Sequence, residues 1–286
     1  EDAYEDPTFH RSRSHDYVAR EVKAVRENVG ASEVASFANH KFTGSGARAF
    51  LDRVLAGKIP ERGRVNLSPM LLESGKLNGD LTVACIDSET YYLFGSSVAQ
   101  NMHLRWFEKH LEGVEDVIYK NMTDDFHGVA ISGPNSRELL SRLTREDVSS
   151  ESFKFRDIRD TFIGGVPALC VRLSFTGELG YEIYVAPQFQ LKLFDEIQEA
   201  GKDLDVKWFG GRALMSMRLE KSWGAWTMDF RPDFTLMESG LDFFVDWDKD
   251  FIGKKAALNE KENGITKQLS VIEIETETDV SGDEAV

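Results

Sequence analysis

Two stretches share one pattern, Lys41-Phe-Thr-Gly-Ser-Gly-Ala-Arg-Ala-Phe-Leu-Asp-Arg-Val54 and Ala130-Ile-Ser-Gly-Pro-Asn-Ser-Arg-Glu-Leu-Leu-Ser-Arg-Leu143. In each, a short apolar strand runs into a glycine turn, and a helix with apolar residues at helical spacing follows. After each helix come short apolar strands separated by glycine or serine turns, and then a second amphipathic helix. The sequence therefore predicts an internal repeat of two βαββα-type halves, at about 34–112 and 126–201.

Each half is predicted to form a small antiparallel sheet backed by helices, which is the ferredoxin-like arrangement of an α+β protein. Duplicated halves of this kind commonly leave a cleft or channel between them, and small-molecule sites prefer such interfaces. Residues 1–30 are predicted to be an N-terminal segment with a helix over 19–28. The main domain is expected to span 31–264, with a third segment at 202–264 after the two halves.

The second half contains Ser174-Phe-Thr-Gly-Glu-Leu-Gly-Tyr-Glu-Ile-Tyr-Val185, a glycine turn that leads into a strand. Period-two alternation places Glu182 and Tyr184 on one face of this strand and three apolar side chains on the other. A carboxylate at the start of a strand after a glycine turn is a candidate ligand-facing group. A simple hairpin with an exposed glutamate accounts for the spacing equally well.

Asp80 is the second candidate, because Gly75-Lys-Leu-Asn-Gly-Asp-Leu-Thr-Val83 places it at the mouth of an apolar strand. Aspartate is disfavoured in strands, and a residue that contradicts its local preference is an expected mark of function. An Asx turn that leads into the strand is the structural alternative. Arg212, which follows Gly211 at the start of a predicted helix, is the third candidate.

Composition limits the classes of partner. The 286 residues carry a net charge of -15, which disfavours nucleic acids and anionic membranes because binding to them requires a basic surface. No apolar run is long enough to span a membrane. Cys85 and Cys170 lie in apolar strand-like runs and are expected to be buried. The six histidines show no metal-ligand spacing, so no metal site is expected.

The junction that begins at Gly44 also matches G-x-G-x-x-A, a pattern found in dinucleotide-binding proteins. That fingerprint requires an acidic residue near the end of the second strand, and residues 64–72 contain none. A tight strand-to-helix turn is therefore the favoured interpretation.

Several motifs, taken together, carry a resemblance to a known family: Gly75–Val83, Ser174–Val185, Arg212–Lys221 and Pro232–Asp250. In order and spacing they resemble the folate-binding aminomethyltransferases, the family of the glycine cleavage T-protein, over about residues 20–286. Ser-Phe-Thr-Gly-Glu-Leu-Gly-Tyr-Glu, Arg-Leu-Glu-Lys and Asp-Lys-Asp-Phe-Ile-Gly are closer to the branch fused behind an FAD domain, the dimethylglycine and sarcosine dehydrogenases. The resemblance implies two ferredoxin-like lobes and a C-terminal β-barrel lobe around a central channel. Residues 265–286 would be the truncated start of that barrel, with a strand beginning at Lys267.

The resemblance also implies roles for individual residues. Asp80 would lie near the reacting folate nitrogens as the catalytic carboxylate, and Glu182 would hydrogen-bond the pterin edge. The other folate contacts would be Arg212, Phe243 (tryptophan in the T-protein), Phe94, Ser96 (often asparagine in the T-protein), Leu67 and Phe37.

The predicted function is tetrahydrofolate-dependent transfer of a one-carbon unit from an amine-derived donor, as the folate domain of a dimethylglycine or sarcosine dehydrogenase. FAD is expected only in a covalently linked domain upstream, since the chain lacks an initial Met and is interpreted as part of a longer protein. A cytoplasmic location is expected, or the mitochondrial matrix in a eukaryote. Two alternatives stay open: a free-standing aminomethyltransferase acting on a lipoyl carrier protein, and a folate-binding regulatory or assembly protein without transfer activity.

Overall fold

A computed structural model describes residues 11–34 and 37–276. Within these residues the chain is a mixed α+β protein with two sheets, as the sequence predicts. The helices are α1 His15–Glu27, α2 Ala47–Val54, α3 Gln100–Leu111, α4 Ser136–Leu143, α5 Gln190–Ala200, α6 Gly211–Glu220 and α7 Lys254–Asn263.

The first sheet is antiparallel and has five strands in the order β3-β4-β5-β2-β6. Helices α2 and α3 cover one face of it, where Phe50, Leu51 and Phe107 pack against apolar side chains of the strands. The strands are β2 Ala38–Thr43, β3 Arg64–Leu71, β4 Leu77–Cys85, β5 Thr90–Gly95 and β6 Ile118–Asn121.

The second sheet has six strands in the order β11-β1-β7-β10-β9-β8. Helices α4 and α5 cover its outer face through Leu139, Leu140, Leu193 and Ile197. The order β8-β9-β10-β7 reproduces β3-β4-β5-β2 of the first sheet. The strands are β1 Gly30–Glu33, β7 His127–Ser132, β8 Ile158–Ile163, β9 Val166–Val171, β10 Gly180–Val185 and β11 Lys207–Trp208.

The two sheets pack face to face. Side chains from both sheets form one cluster in which Phe94 of β5 stacks on Tyr184 of β10, with ring centroids 4.7 Å apart. The layers are therefore helices, sheet, sheet and helices, and the strand faces that point away from the helices line the space between the sheets.

The third segment closes one end of the first sheet. Residues after α6 form a loop-rich cluster in which Phe230, Leu236 and Phe251 pack against Leu71 and Leu77. Helix α6 itself packs on α1. This segment brings residues of the C-terminal part of the chain beside β3 and β4.

The structure corrects several predicted elements. The first half is predicted to begin at about residue 34, but the strand that leads into its glycine turn begins at Ala38, and a separate strand, β1, precedes it. β1 pairs with β7, far along the chain, and local pattern does not encode such a partner. Residues 265–276 carry no helix or strand, so the strand expected from Lys267 is absent there, since a strand requires a partner to form. The rest of the predicted barrel segment, 277–286, lies outside the described residues.

Gly133, between β7 and α4, offers a test of this packing. Its φ is 132°, and a Cβ on it would lie 2.4 Å from the Asn28 carbonyl oxygen at the end of α1. Gly165 also has positive φ, 77°, but a Cβ there meets no heavy atom of the described residues within 4 Å. We expect Gly133→Ala to lower the free energy of unfolding by more than about 3 kcal/mol and Gly165→Ala by about 1 kcal/mol. Urea unfolding measures both, and equal losses would contradict the packing of α1 on this turn.

Candidate functional site

Asp80 lies on β4 opposite Pro69 of β3, and its side chain points into the space between the sheets. The neighbours on that face are Thr82 and Ala84, while Leu81 and Val83 pack under the helices. Burial raises the pKa of the Asp80 carboxyl to about 7, against the opposing effect of its own backbone N–H. Asp80 is therefore a carboxyl group that takes up and releases a proton near neutral pH.

Glu182 enters the same space from the opposite sheet. It lies on β10, and the Tyr184 hydroxyl donates a 2.8 Å hydrogen bond to its Oε2. Burial raises the pKa of the Glu182 carboxyl to about 7, while this hydrogen bond and the charge of Lys221 oppose the shift. Because Glu182 is half-buried and its carboxylate accepts this hydrogen bond, the alternative of a hairpin with an exposed glutamate is excluded.

The positive charge of Lys221 acts on the Glu182 carboxylate, and Lys221 was not among the site residues predicted from the sequence. It follows α6 and donates a 2.9 Å hydrogen bond to the Ser174 carbonyl, at the glycine turn before β10. Burial lowers the pKa of its ammonium group, and the charge of Glu182 opposes that change. Lys221 and Glu182 therefore place a positive charge near a carboxylate on the side of the second sheet.

Apolar side chains form the wall of the first sheet. Leu67, Thr82 and Phe94 lie directly opposite one another on β3, β4 and β5, so they form one row on the inter-sheet face. Phe37 packs against the same cluster, and the Phe94 ring continues the row to Tyr184. The row is suited to hold a flat ring between apolar surfaces.

Ser96 and Phe243 each lie in or beside a short 3₁₀ turn next to a strand of the first sheet. Ser96 directly follows β5 and precedes a 3₁₀ turn, one register step beyond the Thr82–Phe94 pair and hence level with Asp80. Phe243 lies in a second 3₁₀ turn, Asp242–Phe244, which contacts β3. Its side chain is 88% exposed, so an aromatic face is open to solvent at this edge.

Arg212 lies at the opposite end of α6 from Lys221. It lies in the first turn of α6 and donates a 2.7 Å hydrogen bond to Ser14 Oγ, whereas Lys221 follows the other end of that helix. The helical rise separates the two positions by about 13 Å. Its predicted contact with folate stays a prediction.

The site is thus two carboxyl groups of raised pKa on facing sheets, with aromatic and aliphatic walls. A carboxylate accepts two parallel N–H donors, and a carboxyl group of pKa near 7 exchanges protons at physiological pH. A surface cleft of about 590 Å³, lined by residues that include Arg142 and Phe162, lies outside the inter-sheet space. Among residues 11–34 and 37–276, no cluster of His, Cys, Asp and Glu side chains is arranged to hold a metal ion. The helices in that part of the chain also lack the combination of length and apolar character that a transmembrane span requires.

The raised pKa of Glu182 predicts a pH dependence of stability. Since its pKa rises from 4.5 to about 7 on folding, its contribution to stability is complete below about pH 4.5 and is lost as pH rises through 7. Relative to Glu182→Gln, the wild type should lose unfolding free energy across this window, with a slope of at most about 1.4 kcal/mol per pH unit. Urea unfolding of both proteins from pH 4 to pH 8 measures it. A difference that stays constant over the window would contradict the burial of this carboxyl.

Comparison with known proteins gives a consistent match. A family profile described as GCVT N-terminal domain matches residues 2–249. Dimethylglycine dehydrogenase, mitochondrial, of Homo sapiens is 33% identical over 284 residues, which are 98% of this chain and 33% of that protein. The chain therefore spans about one third of the length of the dehydrogenases that it matches.

An aminomethyltransferase of Listeria innocua serovar 6a is 32% identical over 261 residues, 90% of this chain and 70% of that protein. Among solved structures, the glycine cleavage system aminomethyltransferase T of Bartonella henselae superposes with a TM-score of 0.78 at 20% identity, covering 92% of this chain and 72% of that one. This structure supports the fold, and the sequence matches confirm the family predicted from the motifs. The chain belongs to the GCVT N-terminal domain family.

Proposed function

We propose that this chain is a tetrahydrofolate-dependent one-carbon transfer domain, part of an FAD-linked demethylating dehydrogenase of the dimethylglycine or sarcosine type. One observation carries the proposal. Asp80 and Glu182, on the faces of the two sheets that point toward each other, are half-buried carboxyl groups whose pKa is raised to about 7, and they lie on the same faces as the stacked rings of Phe94 and Tyr184. The apolar ring row would hold a flat heterocycle, and the two carboxyl groups would serve different polar edges of it.

The donor set fits a pterin. Its amino-pyrimidinone edge carries adjacent N–H donors, and the Glu182 carboxylate accepts two of them. Tyr184 holds that carboxylate through its hydroxyl, and Lys221 favours its ionised form. Leu67, Phe37 and Phe94 supply the apolar faces.

Asp80 would act on the proton. Tetrahydrofolate, when bound, supplies the N5 and N10 nitrogens to which the one-carbon unit is joined. With a pKa of about 7, Asp80 accepts a proton from an attacking amine and stabilises positive charge that develops beside it. Because Asp80 and Glu182 lie on opposite sheets, Glu182 would bind the pterin while Asp80 accepts the proton.

The dehydrogenase branch is favoured because its members align with a larger share of this chain than the free-standing aminomethyltransferases do. The human dehydrogenase aligns with 98% of it, whereas the Listeria aminomethyltransferase aligns with 90%. Under this proposal FAD belongs to a separate domain of the longer protein, the donor is an amine-derived one-carbon unit, and the location is the mitochondrial matrix if the source is a eukaryote. A free-standing aminomethyltransferase is the second candidate, favoured by the 70% of the Listeria protein that this chain covers.

For the architecture, we infer that the matching strand orders reflect two ferredoxin-like lobes of an internal repeat, with the inter-sheet space as the channel between them. The barrel lobe would lie beyond residue 264.

Calorimetric titration with 5-formyltetrahydrofolate, a stable folate, tests the proposal, and p-aminobenzoylglutamate, which lacks the pterin, is the matched control ligand. We expect one site for the folate and at least tenfold weaker binding of the control. Equal binding of both ligands, or no heat with either, would refute a pterin site.

A further inference from the structure

The strand that carries Asp80 contains a β-bulge two residues before it. Met70 of β3 pairs with Gly79, but Leu71 pairs with Leu77, so Asn78 is an extra residue on β4 without a partner on β3. A shift of one residue in a strand turns every following side chain to the opposite face. The bulge at Asn78 therefore changes the register between Leu77 and Gly79, at the end of the continuous pairing of Gly79–Cys85 with β3 that places Asp80 on the inter-sheet face.

His103 of α3 holds this bulge from the helix side. Its Nε2 lies 3.0 Å from the Asn78 carbonyl oxygen, and only 1% of the residue is exposed. The ring also packs on the glycine beside Asp80, because a Cβ on Gly79 would lie 2.6 Å from Nε2. A Cβ on Gly95 of β5 would lie 3.5 Å from Nδ1, so the ring spans the ends of both strands.

We propose that His103 is a positioning residue for Asp80. Its Nε2–H donates to the carbonyl of the bulge residue Asn78, and this bond holds the backbone where the paired segment of β4 begins, two residues before Asp80, so that the Asp80 carboxyl keeps its position between the sheets. The effect on transfer rests on the function proposed above, whereas the effect on strand geometry does not.

The surroundings of His103 specify its tautomer. A carbonyl oxygen only accepts, so the proton lies on Nε2, and Nδ1 is an acceptor that meets no partner among the described residues. His40, whose ring centroid lies 6.0 Å away, presents a buried Nε2 that also meets no partner there. Burial lowers the pKa of His103 to about 4 and that of His40 to about 3, so both rings are neutral at pH 7.

Two variants separate the hydrogen bond from the volume of the ring. His103→Phe keeps a ring and removes the donor, and His103→Gln restores an amide N–H near the position of Nε2. The rate measured is the formation of 5,10-methylenetetrahydrofolate from formaldehyde and tetrahydrofolate, after subtraction of the uncatalysed rate. We expect kcat to fall about 10- to 100-fold in the Phe variant, with KM for tetrahydrofolate nearly unchanged, and to recover in the Gln variant.

Two further readouts do not depend on activity. ¹⁵N NMR of the wild type should show His103 neutral with its proton on Nε2, and amide exchange at Leu81 should accelerate in the Phe variant and recover in the Gln variant. A proton on Nδ1, or equal exchange in all three proteins, would overturn the proposal even if the Phe variant folds poorly. Full kcat in the Phe variant would overturn it as well. A wild type without activity above background would refute the proposed function and leave the NMR and exchange results to decide the role of His103.

Discussion

Asp80→Ala should lower the rate of one-carbon transfer to tetrahydrofolate by about 10²- to 10⁴-fold while folate binding persists. The substitution removes the carboxyl group whose pKa burial raises to about 7, and with it the proton acceptor on the first sheet. The pterin edge is assigned to Glu182 on the other sheet, so affinity should change by only a few fold. The measurement is kcat from formaldehyde and tetrahydrofolate, together with the Kd for 5-formyltetrahydrofolate.

Asp195→Ala is the matched control, because Asp195 is an exposed aspartate on α5, the helix that covers the outer face of the second sheet. It should leave both kcat and Kd unchanged. If Asp80→Ala keeps the wild-type rate while it binds folate, the catalytic assignment is wrong, and a binding or regulatory protein without transfer activity becomes the better description.

Glu182→Gln should weaken folate binding and leave kcat nearly unchanged, which is the reverse of the effect expected for Asp80→Ala. The amide keeps the size of the side chain but replaces a charged acceptor of two N–H groups, so folate should bind about 10- to 100-fold more weakly. At saturating folate, kcat should stay within a few fold of the wild type because Asp80 is intact. Calorimetry and the dependence of rate on folate concentration measure the two effects.

Tyr184→Phe is a milder variant of the same site. It removes the 2.8 Å hydrogen bond to Glu182 but keeps the ring that stacks on Phe94. Its affinity should fall between those of the wild type and Glu182→Gln. Unchanged affinity in Glu182→Gln would place the pterin edge elsewhere in the protein.

Part of the placement of the candidate site residues could be predicted from the sequence. Alternation along β10 placed Glu182 and Tyr184 on the same face, and the structure confirms this because strand periodicity is local. Asp80 was selected as a candidate because aspartate is unfavourable in an apolar strand, and its catalytic role stays a prediction.

Long-range pairing was not predictable from local pattern. β1 lies between β7 and β11, and neither its length nor its composition specifies those neighbours. The approach of Lys221 to Glu182 depends on how α6 packs on α1, and the bulge at Asn78 depends on the pairing of β3 with β4. These features arise from burial between elements distant in sequence.

The most direct test of a folate site between the sheets is a crystal structure of the chain with 5-formyltetrahydrofolate. We expect the pterin ring beside Phe94, its amino-pyrimidinone edge within hydrogen-bond distance of Glu182, and Asp80 facing the reacting nitrogens. A ligand found instead in the surface cleft lined by Arg142 and Phe162, with Glu182 and Asp80 untouched, would contradict it.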